Sequence, residues 1–326
     1  MEAPSDLHDS EARLWEDLLT RILFLSKSAW EGGAKWPSIN QWLGNFSGLT
    51  GASPSVEKLH ALYLLSQFMY YGNREIRVLL RALYSELFLL PLVRDARKKF
   101  PKLVDFKAEL ASELSATRFL GVGNPSESGM HLLYYFRQEN QLSKNDFMDT
   151  AQIYRVDRSS GTSLRVPRHP DIKRYVFIDD ICGSGETAVR YSNDLLPDLL
   201  SAAHDVEVHY LCLFATADGL DRVRRDSVFG RNSGAVHEFD GTYKWCAGES
   251  RYLYSIDAAL DRRLLVQLPG LYGRRLLPHH PLGYEDGQLL LGFSHNTPDN
   301  TLPIIWSDAE NAGVDWYPIF RRYPKV

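Results

Sequence analysis

Residues 175–187 read Tyr-Val-Phe-Ile-Asp-Asp-Ile-Cys-Gly-Ser-Gly-Glu-Thr. The apolar run Tyr175, Val176, Phe177, Ile178 is too short for a helix and suits a strand buried on both faces. Two adjacent carboxylates, Asp179 and Asp180, stand where that strand should end. The small-residue turn Gly183-Ser184-Gly185 follows, and Thr187 opens a helix-compatible segment over 188–196. Strand, acidic pair, Gly/Ser loop and helix start together make an anion site. Free backbone N–H groups and the positive end of the helix dipole favour a phosphate. Gly185 lets the backbone approach closely, and the Ser184 and Thr187 hydroxyls are donors for phosphate oxygens. The carboxylates are placed to accept hydrogen bonds from vicinal hydroxyls, so the implied ligand is a sugar phosphate. An ordinary strand–turn–helix with a solvated Asp pair is the alternative.

The stretch resembles the signature of type I phosphoribosyltransferases: a hydrophobic strand, two acidic residues, two apolar residues, a small residue, Thr or Ser, Gly, any residue, then Thr. Asp179, Asp180, Ile181, Cys182, Gly183, Ser184, Gly185, Glu186 and Thr187 occupy those positions in order. The resemblance implies that Asp179 and Asp180 hold the ribose 2′- and 3′-hydroxyls of phosphoribosyl pyrophosphate, with a Mg²⁺ ion bound alongside the substrate. Residues 183–187 would then take the 5′-phosphate. Some purine-salvage members carry an aspartate as general base where this chain has Gly183, and the glycine supplies no base there.

Working outward, the chain of 326 residues suggests one and a half to two domains. A hydrophobic fraction of 44% and a charged fraction of 24% are those of a soluble globular protein. The formal net charge of −4 gives no global basic field, which argues against nucleic acid as partner. The local basic clusters at 94–99 and 222–225 read as solvated faces. Cys182, Cys212 and Cys246 show no CxxC pair, which fits a reduced intracellular protein without structural zinc. No apolar stretch reaches membrane-span length, and the start Met1-Glu2-Ala3 does not read as a signal peptide, so a cytoplasmic location is expected.

The first 112 residues read as a helical domain. Residues 11–30 place Leu14, Leu18, Ile22 and Leu25 on one stripe. Ser53-Pro54 opens a helix expected to reach about Tyr71, with Gly72 as its C-cap. Asn73 caps a further helix over 74–90, stopped by Pro91. That helix is apolar nearly all round, so it is buried in its domain or against a partner protein. From residue 113 to 326 strands alternate with helices, predicting an α/β domain with a parallel sheet flanked by helices. Strands are expected at 118–122, 152–156, 206–216, 235–239 and 288–293, and a helix at 130–140.

Two further segments complete the candidate site. The loop Asn124, Pro125, Ser126, Glu127, Ser128, Gly129 follows a strand and precedes a helix, again an anion-capable place or a plain connection. By resemblance it is the pyrophosphate loop. The polar stretch 157–173 carries Arg158, Arg165 and Arg168. Such members often have a mobile loop here that closes over pyrophosphate, work for which guanidinium groups are suited, and an exposed solvated loop is the other reading. In the tail, His295, Asn296, Asp299 and Asn300 offer either acceptor contacts or turn chemistry. The tail and the helical N-terminal region also resemble a divergent bacterial branch of this fold found in anti-phage gene clusters. The resemblance implies transfer or hydrolysis of a phosphoribosyl group. A nucleotide sensor without turnover, or a partner-binding subunit of a defence system, is the alternative.

Overall fold

The structure, a computed structural model, describes residues 2–100, 102–123, 128–158, 163–308 and 314–323. In chain order its elements begin with α1 (Asp9–Ser28), α2 (Trp36–Leu43), α3 (Pro54–Ser66), β1 (Met69–Tyr71) and α4 (Asn73–Ala82). A π-helical stretch, Leu83–Leu89, leads into α5 (Leu90–Lys99), α6 (Leu103–Ser115), β2 (Thr117–Gly121) and α7 (Ser128–Glu139). Then come β3 (Tyr154–Asp157), β4 (Leu164–Pro167), β5 (Arg174–Cys182), α8 (Glu186–Leu195), α9 (Pro197–Ala202), β6 (Glu207–Thr216), α10 (Ala217–Asp226) and β7 (Ser233–Phe239). The tail holds α11 (Arg262–Leu276), β8 (Leu291–Phe293) and α12 (Pro303–Trp306).

Contacts divide the chain into two compact units, one of residues 1–74 with 240–326 and the other of residues 75–239. The division departs from the boundary expected at 112/113, and side chains explain why. Phe88, from the helical run read as N-terminal domain, packs edge-on against Phe119 of β2 at 5.0 Å. The tail meanwhile joins the N-terminal helices: the Trp42 indole N–H donates to the Ile304 carbonyl at 2.8 Å, and the Tyr63 hydroxyl donates to the Tyr252 carbonyl at 2.5 Å.

In the unit of residues 75–239, the four strands run in the order β2-β5-β6-β7, all parallel. Tyr175, Val176, Phe177 and Ile178 are each fully buried, as the apolar run in β5 requires. Opposite residues of parallel neighbours share a face, and β5 pairs Val176 with Phe119 and Phe177 with Tyr210. Phe136 of α7 packs on Phe119 at 5.1 Å, so α7 covers the Val176 face. Tyr191 of α8 packs on Phe177 at 5.8 Å, so α8 covers the opposite face. The connections leaving β2 and β5 therefore go to opposite sides of the sheet. Open α/β sheets take their ligands outside the carboxyl ends of two such strands.

Two expectations need correction in this unit. The strand expected at 152–156 is not part of the four-stranded sheet: β3 pairs antiparallel with β4, Val156 opposite Arg165, in a separate hairpin. Pro91 does not stop its helix. It lacks the N–H that an α-helix would give to Leu87, and the widened π-helical turn just before it, where the Leu90 N–H donates to Ser85 five residues back, carries the chain past. The apolar residues Ile76, Leu80, Leu83 and Phe88 are buried within the chain, one of the two places expected for them.

The unit of residues 1–74 and 240–326 has an aromatic core of Trp15, Trp30, Trp42, Phe46, Trp245 and Tyr272. Ser53 caps α3 as expected, accepting from the Val56 N–H at 3.3 Å. The helix ends at Ser66 and does not reach Tyr71, because Met69–Tyr71 pairs with Leu291–Phe293 in a two-stranded parallel ladder. Gly72 is thus not its C-cap. The expected late strand is β8 of this ladder and lies outside the four-stranded sheet. Among the described residues no helix is long and apolar enough to cross a membrane.

Candidate functional site

β5 runs on through the acidic pair, so Asp179 and Asp180 sit within its last turn of pleat and not after it. Asp180 is buried at 8% exposure, and its carboxylate accepts from the Ile181 N–H at 2.8 Å. Asp179 is half-buried; its Oδ1 accepts from the Asp180 N–H and its Oδ2 from the Tyr210 hydroxyl, both at 3.0 Å. Burial, and then the Asp179 charge, push the Tyr210 phenol well above its ordinary value, so it stays protonated and remains a donor. Cys182, the last residue of the strand, is pushed up to about 12 by burial first and the Asp179 charge second. A thiol held protonated in this way is no nucleophile at neutral pH.

The loop after β5 is built backbone to backbone. Gly185 is the N-cap of α8 at φ +75°, a left-handed conformation that glycine adopts without cost. A β-carbon there would collide with the Gly219 carbonyl oxygen, and one on Gly219 would collide with the Gly183 carbonyl oxygen. The loop thus lies flat on the first turn of α10. Thr216 fastens the two: its hydroxyl donates to the Gly183 carbonyl at 2.6 Å and accepts from the Gly219 N–H at 2.9 Å. The Ser184 hydroxyl accepts from the Glu186 N–H at 3.4 Å, and Thr187 is exposed as the second residue of the helix. Arg222 of α10 donates to the Ser184 carbonyl at 3.4 Å, bringing a guanidinium to a loop otherwise bordered by Asp179, Asp180 and Glu186.

The sequence signature therefore comes together as one site, and Tyr210, Thr216, Gly219 and Arg222 join it unannounced. Thr216 and Gly219 had a legible signal, a Thr N-cap after an apolar strand. Arg222 sat in a cluster read as a solvated face, and only the approach of α10 to the loop takes it out of that class. The loop after β2 leaves beside the acidic pair, since Gly121 is opposite Ile178 and the Val122 N–H donates to the Ile178 carbonyl at 3.1 Å. Asn124, Pro125, Ser126 and Glu127 lie outside the described residues, while Ser128 and Gly129 begin α7.

The arginine stretch is the β3–β4 hairpin, of which residues 159–162 lie outside the described residues. Arg165 faces Asp198 of α9 at 3.9 Å, both exposed, and Arg168 donates to the Tyr154 carbonyl at 3.3 Å. Arg158 is exposed at the end of β3. In the tail, Asn296 Oδ1 accepts from the Thr297 and Tyr323 N–H groups, Asp299 pairs with Arg322 at 2.9 Å, and Asn300 donates to the Tyr284 carbonyl. Of these contacts the Asn296–Thr297 bond is the local turn chemistry expected, and the others tie the tail to more distant parts of its own unit.

Residues 39–322 match the PRTase-CE family, nearly the whole chain. The chain belongs to the PRTase-CE family. This is a phosphoribosyltransferase-like family, and the parallel α/β sheet flanked by helices is the architecture its signature implied. The PRTase-CE chain is also similar to the solved Helicobacter pylori xanthine-guanine-hypoxanthine phosphoribosyltransferase, with 12% identity and a TM-score of 0.24 over 52% of this chain and 83% of that one. The AQ2163 protein from Aquifex aeolicus shows 14% identity and a TM-score of 0.25 over 64% of this chain and 84% of its own. No curated protein matches the sequence.

Proposed function

We propose that residues 179–187 bind the ribose and 5′-phosphate of phosphoribosyl pyrophosphate or of a nucleotide, and that the chain transfers the phosphoribosyl group to an acceptor or to water. The observation that carries this reading is the ordered constellation at the carboxyl end of β5: an acidic pair, a glycine loop turning at φ +75° and a helix start. In the transfer, the acceptor forms a bond to ribose C1 while the C1–oxygen bond to pyrophosphate breaks and its electron pair leaves with that oxygen. The chain's share is to hold the sugar hydroxyls at Asp179 and Asp180, orient C1, and keep water out when an acceptor is present. A Mg²⁺ ion held mainly by the substrate phosphates would take its protein contacts from one or both of the adjacent carboxylates Asp179 and Asp180.

The test is calorimetric titration with phosphoribosyl pyrophosphate, with and without Mg²⁺, followed by a pyrophosphate-release screen over nucleobases and nucleotides. Asp179→Asn with Asp180→Asn is expected to keep the fold and weaken binding by about 1.5–3 kcal/mol per charge-assisted hydrogen bond lost. Unchanged affinity in that double variant removes the assignment.

A sensor without turnover is the second reading, favoured by Arg165 and Arg168 having partners on α9 and in their own hairpin. Single-turnover pyrophosphate release separates the two. If the hairpin closes over the leaving group, replacing Arg158, Arg165 and Arg168 with Ala lowers the rate more than ground-state binding. Equal rates exclude the hairpin from the mechanism, and no release from either protein leaves the sensor. A role in an anti-phage system is a separate proposal, tested by phage challenge of cells carrying the parent or the double Asp variant.

A further inference from the structure

The Tyr210 hydroxyl has no role in the reading above, yet it is placed to set the first carboxylate of the site. Tyr210 lies on β6 opposite Phe177, two residues before the position opposite Asp179, so its ring runs along the sheet face beneath that carboxylate. The ring is held at 1% exposure, tilted at 31° against Phe229 with centroids 5.5 Å apart, and Phe229 in turn meets Phe177 at 5.5 Å. A phenol so enclosed has little rotational freedom, and its hydroxyl meets Asp179 Oδ2 at 3.0 Å. With Oδ1 taken by the Asp180 N–H, each oxygen of Asp179 has a fixed donor, one from its own strand and one from the next. The carboxylate plane is thereby fixed before any ligand arrives.

From this geometry we infer that Tyr210 is a positioning residue for sugar recognition, orienting Asp179 so that its carboxylate meets the ribose hydroxyls in one defined attitude. It does not touch the ligand. It acts on Asp179, and its influence should be confined to ligands that carry the sugar. A side chain with free rotamers spends binding energy on being ordered, and a preset one does not. The inference rests on the proposed sugar-phosphate site.

Tyr210→Phe keeps the ring and removes only the donor. Ribose 5-phosphate, phosphoribosyl pyrophosphate with Mg²⁺, and inorganic phosphate are each titrated calorimetrically into the parent, Tyr210→Phe, Asp179→Asn and the double variant. The expected result is a loss of about tenfold in affinity for the two sugar ligands in Tyr210→Phe, the size of one charge-assisted hydrogen bond. Inorganic phosphate, which meets only the glycine loop, binds as to the parent. Adding Tyr210→Phe to Asp179→Asn costs less than Tyr210→Phe does in the parent, because the tyrosine acts through that side chain and the amide oxygen accepts only a weaker, neutral hydrogen bond. Sugar affinity in Tyr210→Phe equal to the parent's overturns the inference. So does an equal loss for sugar ligands and inorganic phosphate, which marks a general disturbance of the strand ends. A parent that binds neither sugar ligand refutes the functional reading itself, a distinct outcome.

Discussion

At the scale of single residues, the site depends on atoms that are missing as much as on those present. Gly219 has no β-carbon, and that absence lets the Gly183 carbonyl rest on the first turn of α10 where the Thr216 hydroxyl reaches it. Gly219→Ala is therefore expected to lift the loop of residues 183–187. It should lower the melting temperature and weaken sugar-phosphate binding by roughly an order of magnitude, since backbone N–H groups must converge to hold an anion. Gly248→Ala is the control, because a β-carbon there meets nothing within 4 Å. Differential scanning fluorimetry and calorimetry on the two variants check this, and equal behaviour would falsify the close-contact account. The residues lining the signature were legible in the sequence because their order along one strand, loop and helix is local. The Thr216 cap of α10 was legible in itself, but its bond to the Gly183 carbonyl, like the places of Tyr210 and Arg222, was not, since each acts from another strand or helix and no local pattern records the approach.

At the scale of elements, legibility followed the same division. β5, β6 and β7 were readable from their apolar runs, and α3 from Ser53-Pro54. The end of α3 was misplaced because the ladder with β8, formed by residues more than two hundred positions later, outcompetes a helical continuation. The π-helical turn at Leu83–Leu89 had no signal beyond Pro91 itself. Elements are also joined by a titratable link in the unit of residues 1–74 and 240–326. His60 of α3 donates from Nδ1 to the Val56 carbonyl at 2.7 Å and accepts at Nε2 from the N–H of Asp261, the N-cap of α11, at 2.9 Å. Protonation removes that acceptor. Burial, outweighing Val56 and the charges of Asp261, Glu11 and Glu57, lowers the His60 pKa below its unfolded value of 6.5. A lowered histidine contributes stability that is full above 6.5 and is lost as the pH falls below it. Urea midpoints between pH 7.5 and pH 5, measured as orders of magnitude apart in proton activity, should fall in the parent and fall less in His60→Gln. His209, also lowered by burial, is present in both proteins, so the difference between the curves isolates His60. Parallel curves would contradict the assignment.

At the scale of the whole molecule, the domain boundary was the least legible feature. A composition change near residue 113 is real, but compactness is decided by which apolar faces meet, and Trp42 with Ile304 or Phe88 with Phe119 cannot be paired from one sequence. Trp42→Ala, which removes a fully buried ring and its bond to the Ile304 carbonyl, should cost about 3–5 kcal/mol. In hydrogen exchange the loss of protection is expected in α1, α3, α11 and α12, with β5 and β6 keeping theirs; uniform loss across all of these would argue for a single cooperative body. The discontinuity of that unit also dictates an order of assembly on the ribosome. Residues 75–239 emerge as a complete set, whereas α1 and α3 must wait for a stretch of chain that arrives only after all of them. At roughly 5–20 residues per second, that interval is on the order of ten to thirty seconds. During it the indole-rich faces of the first helices have no native cover, so nascent chains stalled before residue 240 should be the species that chaperones hold and proteases clear.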